Sequence, residues 1–326
     1  MRKINKKKPF IMFLTGALIV STISFSGCSI GKDREQEEAY RSEGIAAFKA
    51  GDYQTAIEKF DLALEESNGD TSELETDIIY YKAKALVENK DPESAIAIYD
   101  GILEEDPSDS DTWYLRGCAS LAAGLIEQAD TDFARAVQNA PNDYELTFAV
   151  YQAFQNADQP EKANAALEQA LAFEEESEED LCRKGYICYL LNDTDQANSY
   201  LAQAIEEGSD QAVLYQGMIY AQTGQREDAV AMFDRYASEH EDDEKEMLDL
   251  AAAAEGGGLY EDAIRYYSAL REMEDADGQA VLKGLIASYE GSGDYDTAYT
   301  LLEEYLQSWP DDEEAQKELT FVQTRR

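Results

Sequence analysis

An alanine returns down this chain at nearly constant spacing. Ala95, Ala129, Ala163 and Ala197 are 34 residues apart. Ala56 stands 39 before that series, and Ala229, Ala263 and Ala298 follow it at steps of 32, 34 and 35. Four residues after each alanine comes a large apolar residue: Phe60, Tyr99, Phe133, Leu167, Leu201, Phe233, Tyr267 and Leu302. Self-similarity at a fixed period of this length marks a stacked repeat array, in which no unit buries its apolar face alone. Such arrays present extended binding surfaces.

The copy 110–143 reads SDTWYLRGCASLAAGLIEQADTDFARAVQNAPND. Two helical patterns are joined by a turn at Gly124. Gly117 lies mid-way along the first, Ala129 and Ala136 in the second. Small residues there let the helices approach, and Trp113, Leu125 and Phe133 fill the space around the contact. Pro141 cannot continue a helix and ends the second. These residues resemble the signature of the tetratricopeptide repeat (TPR). The other copies keep the register: 37–70, 76–109, 144–177, 178–209, 210–243, 244–277 and 279–312. Tyr151 and Ile286 stand where the pattern has a small residue, and the first step is long. Residues 313–326 read as a capping helix with Ala315, Leu319 and Val322 inward. The resemblance implies an all-α fold: an α-solenoid of about eight TPR-like helix-turn-helix repeats over 37–312. We expect one continuous array.

The chain opens with five cations, Arg2, Lys3, Lys6, Lys7 and Lys8, then an apolar run to about Ile23, then Phe25-Ser26-Gly27-Cys28. This is the layout of a secretory signal peptide and is too short for a membrane span. Its end resembles a bacterial lipobox, with Phe25 where leucine is usual. That resemblance implies a signal peptide over 1–27, a covalent diacylglyceryl lipid on Cys28, and 28–36 as a lipidated N-terminus with a short tether. An extended tether 29–36 would reach roughly 27 Å. The expected location is a bacterial cell membrane, lipid-anchored and facing the extracytoplasmic side. Two acyl chains hold a protein stably to a bilayer where one does not.

The net charge is −42, and loss of 1–27 with its five cations brings it to −47. Nucleic acid and anionic lipid repel such a surface, so no nucleic-acid partner is expected. Cys118, Cys182 and Cys188 remain after Cys28, an odd number with no zinc-site spacing, and read as buried or half-buried free thiols. His240 has no second histidine beside it and reads as an exposed loop residue. Gly256-Gly257-Gly258 lacks the Lys and Ser/Thr of a P-loop and falls where a turn is due. The acidic run Glu174-Glu175-Glu176 and the following Glu178-Glu179-Asp180 lack the spacing of an EF-hand and read as a solvated junction. No metal site, cofactor or catalytic set is expected, so the chain is read as no enzyme.

In the family resembled, first helices line a concave groove. Residues three before, one after and four after the small-residue position share one face of the helix, because at about 100° per residue they fall within a sector of about 60°. That face collects Tyr80, Lys84, Tyr114, Phe148, Gln152, Tyr186, Tyr189 and Met218. Aromatic residues are frequent anchors of binding sites, but the same rings suit packing against the next repeat, and the spacing leaves both readings open. A clamp for a peptide's terminal carboxylate is not supported: Arg41 and Lys84 are the only cations in the corresponding places, and Ile45 and Tyr80 stand where partners are needed. The expected function is a membrane-anchored scaffold or adaptor that holds a protein or peptide in its groove at the cell envelope. The alternative is an envelope receptor for a glycan, peptidoglycan fragment or other small ligand. The oligomeric state is not legible.

Overall fold

The structure, a computed structural model, describes residues 30–67, 73–174, 177–273 and 276–326. The signal peptide, the lipobox and Cys28 lie outside the described residues. Among those described there are seventeen α-helices and no strand. They form eight hairpins: α1 (Ile30–Lys49) with α2 (Tyr53–Glu66), α3 (Glu73–Glu88) with α4 (Pro92–Glu105), α5 (Ser110–Ala122) with α6 (Ile126–Asn139), and α7 (Tyr144–Asn156) with α8 (Pro160–Ala170). Then follow α9 (Glu178–Leu190) with α10 (Thr194–Glu207), α11 (Asp210–Gln222) with α12 (Arg226–Glu239), α13 (Glu244–Gly256) with α14 (Tyr260–Arg271), and α15 (Gly278–Ser292) with α16 (Tyr295–Ser308). A last helix, α17 (Glu313–Gln323), packs on α16 with Ala315 and Val322 buried.

Two expectations change. The chain divides into two compact units, 1–170 and 171–326, rather than one continuous array. The division falls at the acid-rich link between α8 and α9, the longest between hairpins. Residues 30–36, expected as an extended tether, belong to α1. The stretch 32–43 has no proline or glycine and is rich in Glu, Arg, Lys and Gln, which sustain a helix.

Each hairpin closes by one device. A residue with positive φ sits in every turn: Gly51, Lys90, Gly124, Asp158, Asn192, Gly224, Gly258 and Gly293. The next residue's N–H returns to a carbonyl five back, as from Asp52 to Ala47 at 2.9 Å and from Leu125 to Ser120 at 2.8 Å. This satisfies carbonyls that the helix end leaves open. Asp52, Asp91, Asp193 and Asp294 then cap the second helix with a carboxylate. Gly256-Gly257-Gly258 is thus a turn, with φ +73 at Gly258.

The hairpins are pinned at the small position. A Cβ on Gly44 would lie 2.6 Å from the Phe60 ring, and one on Gly117 or Gly217 would lie 2.5 Å from Phe133 or Phe233. On Gly185 it would meet Leu201 at 2.6 Å. The ring of the second helix therefore occupies the volume that a side chain of the first would take. Hairpins with glycine there pack their two helices more extensively than those with Ala83, Tyr151, Ala251 or Ile286. Tyr151 and Ile286 face leucines, Leu167 and Leu302, so the large residue is offset by a smaller knob. In the last hairpin a different glycine serves: Gly284 receives the Tyr267 ring from α14 of the preceding hairpin. The extra length of the step from Ala56 to Ala95 coincides with the link holding 68–72, which lie outside the described residues.

Within each unit the first helices of successive hairpins touch: α1 with α3, α5 with α7, and α9, α11, α13 and α15 in sequence. No pair of second helices packs to that extent. Stacking that is tighter along the first helices puts them on the inner side of each unit's curvature.

Two measurements check this account. Gly117→Ala should destabilise by about 1–3 kcal/mol through overpacking against Phe133, and Phe133→Leu in that background should recover part of the loss. Lys90→Gly should stabilise by about 1 kcal/mol, because a left-handed residue with a Cβ is strained there. Urea midpoints followed by circular dichroism give both values.

Candidate functional site

The first helices of the hairpins in both units carry the residues singled out from sequence. In the unit 1–170, Tyr80 is half-buried and its hydroxyl donates to the Asp109 carboxylate at 2.9 Å, while also contacting the Thr112 hydroxyl. Asp109 caps α5, so Tyr80 ties the second hairpin to the third. Its ring lies 6.3 Å from that of Tyr99. Burial pushes the phenol well above its ordinary pKa. Lys84 has its pKa lowered by burial, against the nearby Glu88, and its ammonium stands 5.7 Å over the Phe48 ring. Tyr114 leans on Phe133 at 5.6 Å, and burial again raises its pKa. Beside it, burial pushes the Cys118 thiol up to about 11, which keeps it protonated and unreactive. Phe148 is half-buried and Gln152 exposed on α7.

In the unit 171–326 the rings are brought together. Tyr186 stacks on Tyr189 at 6.0 Å and, from α9 to α11, on Tyr215 at 4.3 Å with an interplanar angle of 16°. All three are half-buried, as is Met218. Tyr215 was not among the expected residues, because it sits one helical step off the sector used to choose them. Its signal was there in the aromatic at i+29 from Tyr186. Cys182 and Cys188 are buried free thiols, each pushed up to about 11 by burial.

Further along α13 and α15, the position equivalent to Tyr189 holds Glu255 and Glu290. Glu255 accepts from the Tyr267 hydroxyl at 3.2 Å, and burial raises its pKa. Glu290 lies beside the carboxyl of Glu318 on α17; burial first, then that neighbouring carboxyl, push its pKa up to about 7. One buried oxygen of Glu290 finds no partner.

Other polar groups are structural. Asp132 is fully buried and takes the Arg116 guanidinium at 2.6 Å, with Asp100 on its other side at 2.5 Å. Lys184, also buried, donates to the Phe173 carbonyl at 2.6 Å. Sequence periodicity alone does not reveal such pairs, because their partners come from facing helices. His240, expected in an exposed loop, is half-buried at the end of α12 with its ring 4.3 Å from Tyr236. Among the described residues no group of three or more Cys, His, Asp or Glu is placed to hold a metal, and no helix is long and apolar enough to cross a membrane. A cavity of about 40 Å³ between α6, α7 and α8 is lined by Phe133, Val150, Phe154 and Lys162. It holds a few waters at most. A wider polar cleft of about 510 Å³ outside it, lined by Asp130, Thr131, Arg135 and Gln169, is open to solvent.

Two sequence-family models match, both of the tetratricopeptide repeat: one over 47–117, the other over 189–244 and 248–313. Together they take in 193 of the 326 residues. The chain is built of tandem tetratricopeptide repeats. No curated protein sequence matches it. Among solved structures, the Cut9–Hcn1 hetero-tetramer of the APC/C is 16% identical with a TM-score of 0.41, over 86% of this chain and 54% of that one. The TPR chain thus spans about half the length of that relative. A tetratricopeptide repeat protein from Parabacteroides merdae is 12% identical with a TM-score of 0.48, over 89% and 99%. Human IFIT1, as a dimer with m7Gppp-AAAA, is 17% identical with a TM-score of 0.40, over 86% and 76%. Matches of this strength carry no functional argument. TPR proteins are in general non-enzymatic scaffolds, and the fold suits protein–protein interaction.

The Glu290–Glu318 contact gives a pH dependence. The raised pKa of Glu290 means its contribution is complete below about 4.5 and lost as pH rises through about 7. Hydrogen exchange protection of α17, corrected for intrinsic rates, should therefore fall between pH 5 and pH 8. Glu318→Gln should flatten that dependence.

Proposed function

We propose that this TPR chain is a membrane-anchored scaffold or adaptor lipoprotein that holds a protein or peptide partner on the inner faces of its first helices. The observation that carries the reading is the continuous row of half-buried rings Tyr189, Tyr186 and Tyr215 on α9 and α11, with Met218 beside them. Half-exposed aromatic rings on the inner side of a repeat array offer large, stiff contact area to a partner at low entropic cost. Tyr80, Lys84, Tyr114, Phe148 and Gln152 offer the corresponding face in the first unit, although Tyr80 also serves the packing of its own repeat. The two cavities noted above are either too small for a ligand or open and polar, unlike the enclosed apolar pockets of about 300–1,000 Å³ that take small molecules.

The lipobox-like Phe25-Ser26-Gly27-Cys28 supports lipidation at Cys28 and display on the extracytoplasmic side of a bacterial membrane. With a net charge of −42 the chain is repelled by nucleic acid. The proposed scaffold performs no catalysis and needs no cofactor beyond its lipid.

Crosslinking of the full chain in its native membrane, followed by identification of the captured protein, tests the reading. One specific protein should recur, and Tyr186→Ala with Tyr189→Ala should reduce its capture by about tenfold or more. Capture that is equal with and without these rings would overturn the assignment of the face. Cys28→Ser should move the chain from the membrane to the soluble fraction, and retention in the membrane would overturn the anchor.

A further inference from the structure

The second unit is the more acidic by a wide margin. Residues 171–326 contain 38 Asp and Glu against 11 Lys and Arg, a net −27 of the chain's −42. Among the described residues at least nine of those eleven bases stand within ion-pair distance of a carboxylate. On the inner helices, Lys245 pairs with Glu246 and Asp249, and Lys283 with Asp312. The surplus of acid in this unit therefore has no cation of its own to meet.

Part of that surplus lies on the inner face, next to the rings. The positions four after the small residue run Tyr189, Ala221, Glu255, Glu290 across α9, α11, α13 and α15. The positions one after it run Tyr186, Met218, Ala252, Ala287, with the last two exposed. Rings and a thioether thus stand on α9 and α11, and carboxylates with exposed small alanines, Ala252 and Ala287, stand on α13 and α15. Among the described residues no ion pair reaches Glu255 or Glu290. Their neighbours are the Tyr267 hydroxyl and the Glu318 carboxyl. Both acids are partly withdrawn from water, and both are held back from ionising as a result. A bound cation would relieve that cost, since attraction between charges strengthens as water is excluded.

We infer that the inner face of residues 171–326 binds an extended, Lys/Arg-rich segment of a partner protein, with aliphatic stems and cationic heads against Tyr186, Tyr189 and Tyr215 and further cationic heads at Glu255 and Glu290. Tyrosine faces attract cations, and long basic side chains cover apolar surface with their stems while the head reaches a charge. The small, exposed Ala252 and Ala287 leave room for the peptide backbone beside the two carboxylates. The surrounding charge raises the local concentration of basic segments and speeds their arrival. This inference rests on the scaffold reading above and names the chemistry of its partner.

The test uses the full chain in nanodiscs of neutral lipid and three fluorescent peptides of about twelve residues: Lys/Ala, Glu/Ala and Ser/Gly. Anisotropy titrations at low salt should show binding of the Lys/Ala peptide alone, weakened at least tenfold by high salt. Glu255→Gln with Glu290→Gln should weaken it by about tenfold, and Tyr186→Leu with Tyr189→Leu similarly. Glu206→Gln with Glu207→Gln removes the same charge from the exposed end of α10 and should change affinity less than twofold. Circular dichroism of each variant confirms folding. No binding of the Lys/Ala peptide, or equal losses in the control and the inner-face variants, would overturn the inference. If the crosslinked partner still depends on Tyr186 and Tyr189 in that case, the scaffold reading stands and only its basic-segment chemistry falls.

Discussion

The architecture depends on one recurring contact: a large side chain of a second helix seated in a gap on a first helix. At Gly44, Gly117 and Gly217 the gap is a missing side chain, and the rings of Phe60, Phe133 and Phe233 fill it. The ring sets the distance between the two helices of its own hairpin, and the next hairpin lays a further ring against it, Tyr81 on Phe60 and Phe154 on Phe133. The alanine four residues earlier then keeps the rest of the seam close. Ala56, Ala95, Ala129, Ala163, Ala197, Ala229, Ala263 and Ala298 are all completely buried. A larger residue in any of them would part the helices and unseat the knob.

The seam also explains why the array tolerates irregular copies. The seam accepts different sizes of gap and knob, with Gly185 against Leu201 in one hairpin, and Tyr151 with Leu167 or Ile286 with Leu302 at the same positions of others. The looser fit has a local consequence in the last hairpin, where the neighbouring Tyr267 finds Gly284 instead of a residue in the standard place. Turns show the same division between requirement and latitude. The left-handed residue is needed in all eight, but Lys90, Asp158 and Asn192 meet the need without glycine. Asn and Asp do so at modest cost, and Lys at more.

The periodic signal made the fold legible because it is local. Helix faces, turn glycines and the period of the alanines are all set within one or two hairpins. The inner-face residues were legible in the same way and for the same reason. Features that arise between hairpins were not. Tyr80 reads as a groove residue, yet its hydroxyl closes on the cap of the next hairpin. Tyr215 joins the ring stack from outside the chosen sector, because the stack is made between α9 and α11 and not along one helix. Arg116 and Asp132 form a buried ion pair that no spacing rule anticipates, since sixteen residues separate two groups on facing helices. The division at the α8–α9 link was likewise invisible to a period that continues across it.

The charge is the feature that the seam leaves unexplained. Packing needs only the buried alanines and knobs, so nothing in the fold calls for 38 acids in the second unit. Net charge destabilises a compact state by self-repulsion, even as it keeps the protein soluble. Exposed acids near helix N-termini recover some of this through the helix dipole, as with Glu178, Glu179 and Asp180 at the start of α9. Glu255 and Glu290 do not sit at such ends. They stand in the last turns of α13 and α15, where the dipole is unfavourable to a negative charge, and where burial opposes ionisation as well. Two carboxylates placed against both effects, on the face that also presents the tyrosine stack, are costly to the free protein. The cost is recovered when a cation arrives from outside, and it gives the inner face a preference that an alanine ladder alone would lack.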